Sequence, residues 1–527
     1  MKRHTIIGFG LALTLTGAAA IAAPVAWFGI KPPPGLSNPP QDVAKAARAT
    51  PRAVIPAGET LDPEFAGKRI QRDLLRVTQF SDEMEKTSQF WGRISGYPSE
   101  IKTAEWFAGE LRKAGVQTVE VQTFEGTTAF WRPKSWEVRV LADAAYGAGS
   151  KDIVLKSAMP TSGSSIPTPL TAQVVYAGDA GAAVSVDVKG KIAIQRSHPT
   201  TGAYSDRSKI VQSTQALEQA GAVAVFNWID QPGNMHVYDF AARGRPSFNL
   251  GGADGAFLKA VLEKAPAGSL KAKLSLDSDT ATGLKADNVI GMIPGDSDEA
   301  IIINAHLDSW FDGAGDNGDG VAVALALARH YGKGPKPKRT LIFVGSAGHH
   351  SGGMNGATNL VRMNQGKLSR VILVLNLEHV AQFQFRVDPW RVDPTEEPKN
   401  VGVSNMAPFL VDTLKAGAAR YGYTYGGEIT NSVPGDLGGY APLNVARVQG
   451  IHSGPYYHTS GDVYSTISPE GLTRAANFYR YFIDAVAGAP AASVNPPAPP
   501  AAAGAPARGG AAPARGGAAP ARGGRGG

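Results

Sequence analysis

The sequence predicts an α/β fold, a mostly parallel sheet with helices on both faces, together with an inserted β-rich domain. Three observations carry this. After residue 288, short apolar runs alternate with helical patterns, an order that implies βα units and a parallel sheet. Several of these runs stop at polar clusters, as strands do where they open into the crevice at their carboxyl ends. Residues 152–283 break the alternation, being strand-like, rich in Gly and poor in charge, with one helical stretch near 213–221.

The elements follow in chain order. Lys2, Arg3 and His4 precede an uncharged, mostly apolar run, and Ala20-Ile21-Ala22 gives a small-x-small pattern. Residues 1–30 therefore read as a secretory signal, and the run is also long enough for an N-terminal membrane anchor. Either reading implies export, to the periplasm or beyond. Residues 31–66 are Pro-rich and read as a linker. Residues 67–151 open the main domain with two helical patterns. The second carries Ile101, Ala104, Phe107 and Leu111 before Gly115, and a strand-like alternation follows. Within 284–487, strands are expected at 288–293, 300–305, 339–344 and 371–377, and helices at 321–330, 405–421 and 469–485. The tail, 488–527, repeats AAPARGG and reads as disordered, since it offers nothing to bury.

Composition narrows the chemistry. At 527 residues, 43% hydrophobic and 18% charged, the chain suits a globular protein of two or three domains. It has no Cys, which removes disulfides, thiol nucleophiles and Cys-type zinc sites, so any metal must be held by His, Asp or Glu. The net charge of +7 includes Lys2, Arg3 and four tail arginines, leaving about +1 for the body. No basic stripe suits nucleic acid. The sequence assigns no oligomeric state.

The polar clusters are the candidate site. Ile301-Ile302-Ile303 reads as a buried strand and leads into His306-Leu307-Asp308, then a Gly/Asp/Asn loop that includes Asp316. His349-His350 follow LIFVGSA, Glu378-His379 follow VILVLNL, and Tyr456-Tyr457-His458 come late in the chain. Seven of the ten histidines lie between His306 and His458. Such clusters, converging from different strand ends, could hold two cations and an activated water.

These residues carry a resemblance. HLDSW, GAGDNGDG, the paired residues, NLE and YHTSGD, in that order, resemble the M28 family of zinc peptidases. GRISGYPSEIKTAEWFAGELRKAGV is similar to that family's N-terminal helical segment, and DVKGKIAIQR with ALEQAGAVAVFNW resembles a protease-associated (PA) domain over 152–283. The resemblance spans roughly 70–487. It implies one or two Zn²⁺ ions, a peptide substrate and exopeptidase activity. It implies His306 as ligand of one metal, Asp308 as the carboxylate orienting that His, and Asp316 as the bridge. Glu378, where the family usually has Asp, would complete the first metal. His458 would serve the second, and Tyr457 would polarise the substrate carbonyl. Asn317 replaces a common second Asp.

His349-His350 stand where the family has Glu-Glu. His350 can ligate zinc, and His349, as an imidazole, could serve as the general base. Three functions therefore stay open: an exopeptidase using a different base, a non-catalytic relative that binds peptide or metal, and a metallo-amidase or cyclase-like enzyme. His330 and His379 read as structural. His452 could line the pocket, Asp436 weakly resembles a substrate-pocket position, and 388–400 reads as a solvated loop.

Overall fold

The structure, a computed structural model, describes residues 25–497 apart from 38–40, 164, 200–206, 239–243, 352, 382–383, 389–390, 396–397, 426–427, 452–453 and 455. Two eight-stranded sheets organise it. The first runs in the order Thr118–Glu125, Lys285–Ile293, Arg339–Ser346, Ser297–His306, Val371–Leu377, Ala446–Ile451, Pro398–Val403, Thr424–Tyr425. Its four central strands, from Arg339–Ser346 to Ala446–Ile451, are mutually parallel, and antiparallel pairs flank them.

Both faces of this sheet are buried, and the alternation along one strand shows it. Ile301 and Ile303 join a core formed with the helices Gly67–Glu85, Asp319–Lys333, Pro408–Tyr421 and Pro469–Gly488. Ile302 points the other way, into a smaller core with Leu360 of the helix Gly356–Met363. The helix Asp319–Lys333 alternates Ala and larger aliphatics from Val321 to Ala328, all buried, which lets it lie close against the sheet.

The second sheet carries the β-rich insertion, but it starts earlier than 152. Phe130–Val140 pairs along Lys271–Ala281, so these flanking residues belong to it. It contains the parallel set Leu170–Asp179, Ile192–Ser197, Ala224–Ile229, Ser247–Leu250, and it has a helix beyond the one expected, Gly252–Lys264. Around the first sheet the expected strands and helices are present, most of them extended by a few residues, while Val371–Leu377 is unchanged and the helix expected at 405–421 begins at Pro408. The strands Pro398–Val403 and Ala446–Ile451 and the short helix Gly356–Met363 lacked a distinct pattern in the sequence. Gln384–Asp388 pairs with Arg391–Thr395, so part of the expected loop at 388–400 is a hairpin.

Two boundary expectations need correction. Residues 31–66, expected as a linker, pack onto both lobes instead. Ser37 N–H donates to the Asn234 carbonyl, the helix Gln41–Ala49 buries Val43 and Ala47 against Met235 and Tyr456, and Ala53 N–H donates to Glu470. Proline sets the segment's extended conformation without preventing its few apolar side chains from docking. The tail likewise begins later than 488: Val494 is buried, and Asn495 bonds Ala446 and Ile372. Among the described residues no helix is long and apolar enough to cross a membrane, and the apolar run expected as signal or anchor lies largely outside them.

Candidate metal centre

The carboxyl ends of the four parallel strands deliver the site. Ser297–His306 ends in His306; Arg339–Ser346 leads to His349 and His350; Val371–Leu377 leads to Glu378 and His379; Ala446–Ile451 precedes the loop bearing His458. Parallel registry puts these ends level, so side chains as far apart in sequence as Asp316 and His458 meet.

Asp316 is the meeting point. Its Oδ1 lies 3.2 Å from His306 Nε2 and 3.1 Å from His379 Nε2. Its Oδ2 lies 3.0 Å from His350 Nε2 and 3.2 Å from His458 Nε2. Four imidazoles thus surround one carboxylate, two on each oxygen. All five residues are buried. The loop that presents Asp316 is pinned by Asp462, which accepts from the backbone N–H groups of Gly315 and Asp316 at 2.8 and 3.0 Å.

Behind this ring, each imidazole has its own support. His306 Nδ1 donates to the Asp308 carbonyl at 3.0 Å, which leaves Nε2 for Asp316. The Asp308 carboxylate was expected to orient His306, but it stands 3.7 Å from that ring and bonds elsewhere. Its Oδ2 accepts from the backbone and Nδ1 of His350 at 2.9 and 3.1 Å, and its Oδ1 from the backbone of His349 at 3.1 Å. The reason is local: the tight turn after Ser346 points two backbone N–H groups at Asp308.

His349 stacks on His306, with ring centroids 4.0 Å apart and planes at 10°. Its Nδ1 faces Asp436 at 3.0 Å and its Nε2 faces Glu378 Oε1 at 3.7 Å. Asp436 also accepts from Asn304 and Ser346. Glu378 Oε2 accepts from Asn376 at 2.7 Å. Tyr457 stacks on His458 at 3.6 Å and approaches His379, while also packing on the second lobe beside Ile229 and Val237.

The electrostatics follow from burial and pairing. Burial opposes ionisation of Asp316, yet His350 and His379 hold its carboxyl well below the usual range. Burial likewise opposes charge on His350 and on His379, but Asp316 raises each to about 9, helped by Asp308 and Glu378 respectively. For His349, burial is outweighed by Glu378 and then Asp436, and its pKa is raised well above the imidazole value.

The residues fit a metal. His306, Asp308 and His350; His306, His349 and Glu378; and Asp316, His350 and His458 each bring three ligand atoms within 4.8 Å of one another. His306 Nε2 and Asp316 Oδ1 are buried without a well-formed hydrogen bond, an arrangement that costs free energy unless a cation lies between them. Of the expected site residues, His306, Asp316, His350 and His458 converge; His349 and Glu378 stand beside them and Asp308 behind. His379, expected to be structural, joins the site instead, with its Nε2 on Asp316, and Asp462 and the pairing of Asp436 with His349 had not been singled out in the sequence. His379 had a signal, its position at a strand end beside Glu378; Asp462 had another, its place just after His458. His330 does stand apart, 2.6 Å from Asp62, and His452 lies outside the described residues.

The second lobe closes one side. Trp310 lies 5.5 Å from His350 and packs on Tyr238 and Phe90, making an aromatic wall shared between the lobes.

Comparison with known proteins agrees with this geometry. Residues 288–483 match Peptidase family M28. Aminopeptidase YwaD of Bacillus subtilis is 25% identical over 401 residues, covering 73% of this chain and 79% of its own. A probable glutamate carboxypeptidase, LAMP1, of Arabidopsis thaliana is 36% identical over 101 residues, covering 18% of this chain and 15% of its own. A probable leucine aminopeptidase of Arthroderma otae is 25% identical over 223 residues, 39% of this chain and 58% of its own. The chain thus spans less than two thirds of the last two. Among solved structures, a peptidase M28 precursor from Shewanella amazonensis aligns with a TM-score of 0.62 at 18% identity, over 85% of this chain and 96% of that one. BSAP, a zinc aminopeptidase from Bacillus subtilis, aligns with a TM-score of 0.56 at 21% identity, over 83% and 99%. These two share the fold.

Proposed function

Residues 288–483 make this chain a member of peptidase family M28, and from that membership we propose that it is an exported zinc exopeptidase acting on free peptide N-termini. The observation that carries the reading is Asp316, whose two oxygens each face a pair of imidazole nitrogens. That is the arrangement a carboxylate bridging two cations requires. His306 would hold one zinc and His350 with His458 the other. Bound zinc would supply Lewis acidity and a water of lowered pKa.

The chain's own groups do the rest. His349, fixed through Nδ1 by Asp436, presents Nε2 to the site beside Glu378 Oε1. These two atoms are where a proton can be held: Glu378 would accept one from water, and His349 would donate its own to the leaving amine and be reprotonated from Glu378. The wall of Trp310, Tyr238 and Phe90 excludes water and offers an apolar surface to the substrate side chain. The second lobe, read as PA-like, would then act as a lid or selector. The apolar run within 1–30 supports export.

The absence of the Glu-Glu pair favours a second reading, a relative that binds zinc and peptide without turnover. Zinc content and release of the N-terminal residue from dipeptides and aminoacyl amides separate the two. Asp316→Ala should lose bound zinc and at least about 10³-fold in activity. Zinc bound without hydrolysis by the parent would establish the second reading, and no zinc bound would sink both.

A further inference from the structure

We infer that His379, and not Glu378, is the ligand that completes the zinc position shared by His306 and Asp316, so that the centre is four imidazoles around a single bridging carboxylate. This deepens the exopeptidase reading and rests on its zinc site.

Three independent features point to His379. The first is direct: its Nε2 lies 3.1 Å from Asp316 Oδ1, the oxygen that also faces His306. His350 and His458 face the other oxygen, so each oxygen of this carboxylate faces two imidazole nitrogens.

The second is backbone conformation. His379 and His458 both adopt left-handed φ, at 50° and 57°. Non-glycine residues in this region cluster at functional sites, where the surrounding structure holds them. At both positions it turns an imidazole toward Asp316.

The third is Asn317. Its side chain donates to the Leu377 carbonyl at 2.8 Å and accepts from the His379 backbone N–H at 3.2 Å. It clamps the peptide groups on either side of Glu378, directly after the bridging residue. An Asp at 317, which the resemblance would supply, could accept from His379 but, ionised, could not donate to Leu377. The amide at 317 and the imidazole at 379 therefore form one adaptation.

The rival donor is occupied. Glu378 Oε2 accepts from Asn376, and Oε1 faces His349, although it remains within 4.8 Å of the His306 and His349 ligand atoms. With Asp316 as its one carboxylate, the centre should favour Zn²⁺, Co²⁺, Ni²⁺ or Cu²⁺ and hold Mg²⁺ or Mn²⁺ poorly, because those ions prefer oxygen.

The test is zinc stoichiometry of the full chain after dialysis against a weak chelator, read by elemental analysis. The variants are His379→Asn, since Asn tolerates left-handed φ and is too short to reach the zinc, and Glu378→Gln. Thermal melts of the zinc-free forms confirm that each variant folds. The parent should hold about two zinc ions, His379→Asn about one, and Glu378→Gln about two. Equimolar Mn²⁺ should not displace the zinc. If Glu378→Gln loses an ion, or folded His379→Asn keeps both, the proposal is overturned while the zinc reading stands. If the parent itself binds no zinc, the zinc reading fails and this proposal with it.

Discussion

Asp308 and Asp312 sit four residues apart in one loop, and their surroundings drive them in opposite directions. Asp308 is fully buried among imidazoles: burial alone would raise its pKa, yet His350 above all, with His306 and His349, holds it well below the carboxylate range. Asp312 faces the other way. Burial raises its pKa, and Asp82, Asp462 and Glu85 push it further. Asp462, buried beside Asp316, is raised to about 7 mainly by that burial. Between the two regions lies Arg93, fully buried, its pKa lowered by burial to about 10 despite the nearby aspartates. The difference teaches that this loop favours the ionised carboxylate on the side turned to the metal centre and the protonated form on the side turned to Asp82 and Glu85. Arg93 separates them by holding the carbonyls of Leu307, Asp312 and Gly313.

Removing the divider should have the largest effect. Arg93→Ala leaves three loop carbonyls without their donor and the aspartates without their cation, so it should cost on the order of 3–5 kcal/mol of stability. Denaturant unfolding checks this; a loss within 1 kcal/mol, roughly the value for an exposed pair, would show that the two regions do not depend on Arg93.

Weakening the ionised side comes next. Asp308→Asn keeps the shape but removes the charge that orients His350 through Nδ1. Loss of such a partner should reduce zinc affinity by about 10–100-fold. A chelator-competition titration measures it, and unchanged affinity would mean that the backbone turn alone places His350.

The smallest effect is expected on the protonated side. A carboxyl whose folded pKa exceeds its unfolded value of about 3.9 binds more protons when folded, so it costs stability as pH rises above that value. Asp312→Asn removes the cost. Melting temperature should rise at pH 8, by roughly 1 kcal/mol in stability, and match the parent near pH 4. A gain equal at both pH values would mean that Asp312 is not held protonated.

The sequence showed the central sheet well because each strand is apolar on both faces, and Val371–Leu377 appears with its boundaries unchanged. It also showed the site, because Gly-rich and His-bearing turns interrupt those runs. Pro398–Val403 and Ala446–Ile451 were hidden since Arg447, Gln449 and the Gly residues in them dilute the apolar pattern. His379 was hidden for a different reason. Which of two adjacent side chains enters a site depends on φ at one residue, and periodicity does not record it. Likewise Asp308 was assigned to the nearer His in sequence, whereas the turn after Ser346 brings His350 closer.

The segment between Trp27 and Gly67 has a bearing on how the chain is made. Ala53 bonds Glu470 across 417 positions, Gly67 bonds Thr473 across 406, and Glu59 meets Arg480 across 421. These residues leave the ribosome long before their partners are synthesised. The opening segment must therefore wait, undocked, while both lobes assemble, and can settle only when the helix Pro469–Gly488 has formed. Contacts of such separation are slow to close. A late step of folding should thus be the docking of this segment onto the helix Pro469–Gly488, making it slow to become resistant to proteases.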